Sequence, residues 1–170
     1  MSDVLPSICA VTNNASGAQP GPDETMARIG QAIELSQRGE RGAARRLFAE
    51  IWSEIGAEGD ALHRCALAHS MADVQDDPRE ELVWDLLALQ AAEDVTDERV
   101  AEAGIPSPVA GFYPSLHLNL GEVYRKLGDL PAARRHLALG LAASSALGED
   151  GYSSMIRGGL AALGTRLGGT

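Results

Sequence analysis

The sequence predicts an all-α fold: an α-solenoid of three helical hairpins followed by one further helix. Three observations carry that reading. Apolar residues recur at three- and four-residue spacing along most of the 170 residues. Glycines or acid pairs interrupt the periodic segments where one helix must turn into the next. The chain is rich in Ala, Leu and Gly, only 4% aromatic, and contains no β-rich run.

Residues 1–22 mix Pro, Gly, Ser and Asn around a small apolar cluster, Val4, Leu5, Ile8 and Val11, and show no sustained period, so a flexible tail is expected. The helical domain then spans 23–168. Asp23 is a helix N-cap with Glu24 in the first turn, and Met26, Ile29, Ile33 and Leu35 continue at helical spacing to Gly39. A second helix carries Ala44, Leu47, Phe48, Ile51 and Ile55 inward and stops at Gly56. These two helices form a first hairpin over about 25–58.

The second hairpin, over 61–94, is the least regular. Its first helix places Leu67, Ala68 and Met71 inward, and Asp76 and Asp77 form the turn. Asp77-Pro78 is a strong start for the partner helix, because aspartate caps and proline suits the first helical position. That helix carries Leu82, Val83, Trp84, Leu86 and Leu87.

An insertion, 95–113, separates it from the third hairpin. Thr96 caps a short helix, and Ile105-Pro106-Ser107-Pro108 is extended and stiff, since proline restricts itself and the residue before it. Segments of this kind often serve as lids or contact surfaces. The third hairpin, 114–147, places Leu116, Leu120, Val123, Tyr124 and Leu127 on its first helix. Gly128 ends that helix, Asp129 caps the next, and Ala133, Leu137 and Leu141 point inward. A last helix, about 150–167, starts at Asp150 and carries Met155, Ile156, Leu160, Leu163 and Leu167.

The third hairpin resembles a tetratricopeptide (TPR) repeat: Leu120-Gly121, Tyr124 three residues on, Gly128 at the turn, then Ala133 and Leu137 at the small and large packing positions. Gly39, Ala44 and Phe48 fall in register with Gly128, Ala133 and Leu137, so the first hairpin shares the pattern, with Gln31-Ala32 in place of Leu-Gly. In the second, Trp84 falls where Phe48 and Leu137 fall, but Glu80 replaces the small residue. The last helix is similar to the helix that caps TPR arrays.

The resemblance implies a protein-interaction module that binds a protein or peptide in a concave groove lined by the first helix of each hairpin. Read across residue by residue, the groove offers Met26, Ile29, Ile33 and Gln37, then Leu62, Cys65, His69 and Asp73, then Leu118, Glu122, Arg125 and Lys126. It grades from apolar to charged. Members that hold a terminal carboxylate use Lys and Asn in the first repeat, where this chain has apolar residues. The apolar end would be covered by the ligand, the tail or the segment from Ile105 to Phe112; the alternative is that helix packing simply buries Ile29 and Ile33 and the tail touches nothing. Peptide-sensing regulators of the family carry a DNA-binding domain before the repeats, for which residues 1–22 are too short.

Composition bounds the rest. A formal charge of −10 argues against nucleic acid as partner. No window reaches membrane-spanning length, and Cys9 and Cys65 make no disulfide framework, so a cytoplasmic setting is expected. Lys126 is the only lysine beside many arginines, a bias of GC-rich coding sequence such as that of actinobacteria. Asp73 to Glu98 holds ten acids against Arg79 alone, either a solvated face or a surface for self-association or a basic partner.

No phosphate-binding loop, zinc pattern or nucleophile elbow is present, and no cofactor or metal is implied. His69 and Asp73, four apart on one helix, are the alternative: a small metal-dependent or acid-base enzyme, with His63 and His117 approaching them. For His117 alone, a partly buried packing role is favoured.

Overall fold

Six helices begin on a side-chain cap. Asp23, Asp60, Asp77, Thr96, Asp129 and Asp150 each accept a hydrogen bond from a backbone N–H two or three residues on, satisfying donors that have no partner within the helix. In the computed structural model, which describes residues 23–168, these caps open α1 (Glu24–Gln37), α3 (Ala61–Ala72), α4 (Pro78–Glu93), α5 (Asp97–Glu102), α7 (Leu130–Ala143) and α8 (Gly151–Arg166). The remaining two are α2 (Arg41–Ile55) and α6 (Tyr113–Leu127), and no strand occurs among the described residues. The expected tail and Cys9 lie outside the described residues.

Two turns repeat one piece of backbone chemistry. Gly39 and Gly128 sit at φ +84° and +83°, and the following N–H groups of Glu40 and Asp129 bond back to the carbonyls of Leu35 and Tyr124 at 2.9 and 3.0 Å. Each closure folds the next helix against its predecessor. Helix α2 packs on α1, α4 on α3 and α7 on α6, and neighbouring hairpins meet through α2 with α3 and α4 with α6. This is an all-α, solenoid-like arrangement of adjacent hairpins.

The buried apolar residues form two clusters. The first joins Ile29, Phe48, Ile51, Leu62 and Leu67 with Val100 and Phe112 of the insertion, and ends at Leu116. Trp52 and Trp84 meet edge to face beside it, with ring centroids 5.1 Å apart. The second joins Leu118 and Ala133 to Leu147, Ile156, Leu160, Leu163 and Leu167, so that α8 lies along the apolar side of α6 and α7.

The inward assignment of Leu141 needs correction, and part of the apolar set on α4 faces out. Leu141 is 54% exposed, and Val83 and Leu86 are 56% and 41% exposed. Their places are taken by smaller or polar residues: Ala133, His136 and Gly140 face inward from α7, and Asp85, Ala88, Ala91 and Ala92 from α4. Leu137 is half-buried against the second cluster. The cause is close helix approach. A Cβ on Gly140 would lie 2.7 Å from Leu160 Cδ2, and one on Gly121 would lie 2.5 Å from Leu163 Cδ2. A larger residue at either position would have to displace the leucine methyl that now occupies the space.

Adjacent glycines of α8 separate packing from propensity. A Cβ on Gly159 would fall 2.6 Å from Leu118 Cδ2, whereas one on Gly158 would meet nothing within 4 Å. Gly158→Ala is therefore expected to stabilise by about 0.5–1 kcal/mol through helix propensity, and Gly159→Ala to gain less or to lose. Denaturant midpoints of the two variants check this; equal gains would place α8 in a different rotation.

Candidate functional site

A pocket of about 670 Å³ opens between the end of α3, the first turn of α4, the middle of α6 and the inner side of α8. Its apolar wall is Ala72, Leu118, Met155 and Ala162; its charged groups are Arg41, Asp73, Glu81, Glu122, Lys126 and Arg166. Most of these charges are already matched. Lys126 Nζ donates to both carboxylate oxygens of Glu81 at 2.7 and 2.8 Å, and Glu122 receives Arg166 together with Arg125 at 2.9 Å. Arg41 donates to the carbonyls of Asp73 and Gln75 at 2.9 and 3.1 Å. Asp73 makes no ion pair with any described residue.

Asp73 belongs instead to a buried polar cluster. Asn119 Nδ2, from α6, lies 3.3 Å from Asp73 Oδ1, 3.4 Å from Asp85 Oδ1 and 3.5 Å from His69 Nδ1. One amide with two hydrogens cannot serve three acceptors well. Asp85, 2% exposed, keeps Oδ2 with no hydrogen-bond partner.

The electrostatic consequences follow from burial. Burial first, and then the charge of Glu81, push Asp73 up to about 7, while Asn119 acts in the opposite direction. Asp85 is pushed well above the usual carboxylate range by burial and then by Asp73 and Glu81. Burial depresses His69 to about 4, so its ring is neutral at neutral pH.

The residues assigned to the groove divide between three settings. Asp73, Leu118, Glu122 and Lys126 line the pocket, and Arg125 is half-buried beside it on Glu122. Met26, Ile29, Leu62 and Cys65 are buried in the first core cluster, Ile33 packs against it, and Gln37 is exposed. Of the two readings of the first hairpin, the structure has the one in which packing buries Ile29 and Ile33: both lie in or against the cluster that holds Phe48, Leu67 and Val100. His69 is buried next to the pocket without lining it.

The histidines do not converge. His63 bonds Asp23 at 2.9 Å, within a clasp in which Arg99 of the insertion donates to Asp60 and Asp23 at 2.8 and 2.7 Å. Against the upward pull of burial, His63, the Met26 N–H and Arg99 hold Asp23 at about 2. His117 is buried against His136, with their Nδ1 atoms 3.1 Å apart. The insertion therefore ties the starts of α1 and α3 together, and none of it lines the pocket. Among the described residues no group of three or more His, Cys, Asp or Glu is placed to hold a metal ion.

Sequence reasoning missed Asp85. Its signal was present: an acid at the same helical phase as Ala88 and Ala92 stands inside the buried stripe of α4. The acidic run is accordingly not one solvated face. Asp76, Asp77 and Glu80 are exposed, whereas Asp73, Glu81 and Asp85 turn toward α6.

Residues 114–138, which span α6 and the first turns of α7, match the family model of the tetratricopeptide repeat. No curated protein and no solved structure gives a significant match to the chain.

Proposed function

We propose that this tetratricopeptide-repeat chain is a protein-interaction module that holds a peptide segment in the pocket between its second and third hairpins and α8. The observation that supports this reading is the pocket itself. At about 670 Å³ it has the size of a ligand site, with an apolar wall and convergent polar groups. The matched repeat belongs to a family that generally binds proteins or peptides and is generally not enzymatic. A cytoplasmic setting is part of the proposal; no helix among the described residues is long and apolar enough to cross a membrane.

An acid-base enzyme built on His69 and Asp73 has less support, because His69 does not line the pocket and acid-base work would fall to Asp73. The pocket reading is tested with peptides selected from a random display library on the intact chain. Ala162→Arg, which fills the pocket from the α8 side, is expected to weaken their binding at least tenfold with unchanged helicity. Leu139→Asp, on the exposed side of α7, is expected to leave it unchanged. Equal binding by both variants would remove the pocket as the site and favour the acidic face of the second hairpin.

A further inference from the structure

We propose that the Asp73–Asn119–Asp85 cluster is a receptor for a lysine or arginine side chain of the bound peptide, an inference that rests on the pocket reading above. Two carboxyl groups and His69 Nδ1 converge on a single amide, and Asp85 Oδ2, sealed from solvent, has no partner. The shared Asn119 contact brings Oδ1 of both carboxyl groups to one amide, with Asp73 lining the pocket and Asp85 behind it. An ammonium brings three N–H donors and a guanidinium five, and both bring the charge that buried carboxylates lack.

Once the pair has ionised, the surrounding charges favour a cation. Arg41, Lys126 and Arg166 stand against Asp73, Glu81 and Glu122 around the pocket, and Asp85 behind Asn119 adds a fourth acid. Lys126 is held by Glu81, Arg166 by Glu122, and Arg41 by the carbonyls of Asp73 and Gln75, so none of the three neutralises the Asp73 side chain through an ion pair. Asp73 faces the pocket and is the point of entry; Asp85 adds negative charge from behind. Without a cation the pair supplies its missing donor by keeping a proton. An incoming cation displaces that proton to solvent, so binding strengthens as pH rises through the range where the pair ionises. The groups facing the pair are His69 from α3, Glu81 from α4, Lys126 from α6 and Arg41 from α2. Burial keeps His69 neutral through that range.

The test follows the Asp73 and Asp85 carboxyl carbons of the intact chain by NMR during pH titration. It is run in n-butylammonium chloride, a lysine side-chain surrogate, and in tetramethylammonium chloride at equal ionic strength, a cation with no N–H. The expected result is a downward shift of the pair's midpoint by about one unit in butylammonium alone, a tenfold preference for the ionised pair. Asp73→Asn should abolish the response at Asp85. Equal shifts in the two salts, or none, would overturn the proposal. Peptides from the pocket selection provide the second arm. Replacing their lysine by norleucine should weaken binding at least tenfold, and unchanged affinity would overturn the cation receptor while leaving the pocket reading intact. A butylammonium shift in a chain that selects no peptide would support the receptor and overturn the pocket reading.

Discussion

Replacing Leu160 by alanine is expected to lower the unfolding free energy by about 2–5 kcal/mol, the range for a fully buried leucine whose cavity cannot collapse. Leu160 has no exposure, belongs to the cluster joining α8 to α6 and α7, and meets Gly140 where no side chain intervenes. The Leu160 side chain fills the space over Gly140, so its truncation leaves a cavity there. A loss of that size is a large part of a domain's stability. The effect extends to the pocket, since Met155, Gly159, Ala162 and Arg166 reach it only while α8 is docked. Chemical denaturation gives the first readout and peptide affinity the second; an unchanged midpoint would show that α8 does not seal the third hairpin.

Stability should fall as pH rises above about 6.5, with Asp85→Asn removing much of the fall. The sign follows from proton counting. Asp73 and Asp85 have folded pKa values raised above the ordinary 3.8, so between the two values the folded state holds the extra proton and stability declines as pH rises. For Asp73 that decline ends near pH 7. His69 and His136 are depressed to about 4 from 6.5, mainly by burial, with His117 and Arg135 adding to the shift at His136. Their contribution rises with pH between those values. Burial lowers His117 as well, so below 6.5 three histidines oppose the two aspartates. Above 6.5 only the aspartates act.

Asparagine at 85 matches the shape of the protonated acid and cannot ionise. At pH 8 Asp85→Asn is expected to be more stable than the wild type by about 1–3 kcal/mol, and at pH 5 about equal to it. Urea midpoints across pH check this. A variant no more stable than wild type at pH 8 would show that Asp85 is not held in a sealed site.

The sequence by itself determined the helices and their turns. Caps such as Asp23, Asp77 and Asp129 act on N–H groups two or three residues away, and Gly39 and Gly128 act on their own φ, so the signals are local and survive in one dimension. The third hairpin was legible for the same reason: Leu120, Gly121, Tyr124, Ala133 and Leu137 recur at spacings set by the helix. Which face each helix buries was only partly legible. Leu141 and Val83 carry the apolar signal yet point outward, while Gly140 and Ala88 stand at the buried positions of their helices.

The site needed the tertiary structure. Asp73 ends α3, Asp85 lies inside α4 and Asn119 inside α6, and their contacts span 34 and 46 residues of sequence. No helical period relates them. Their meeting depends on the rotation of three helices about their own axes, fixed by packing along their whole lengths. The same packing buries Met26, Ile29, Leu62 and Cys65, which were groove candidates, in one cluster with Phe48, Leu67 and Val100. Local rules decide that a helix forms; only the sum of its contacts decides which residues it shows to a ligand.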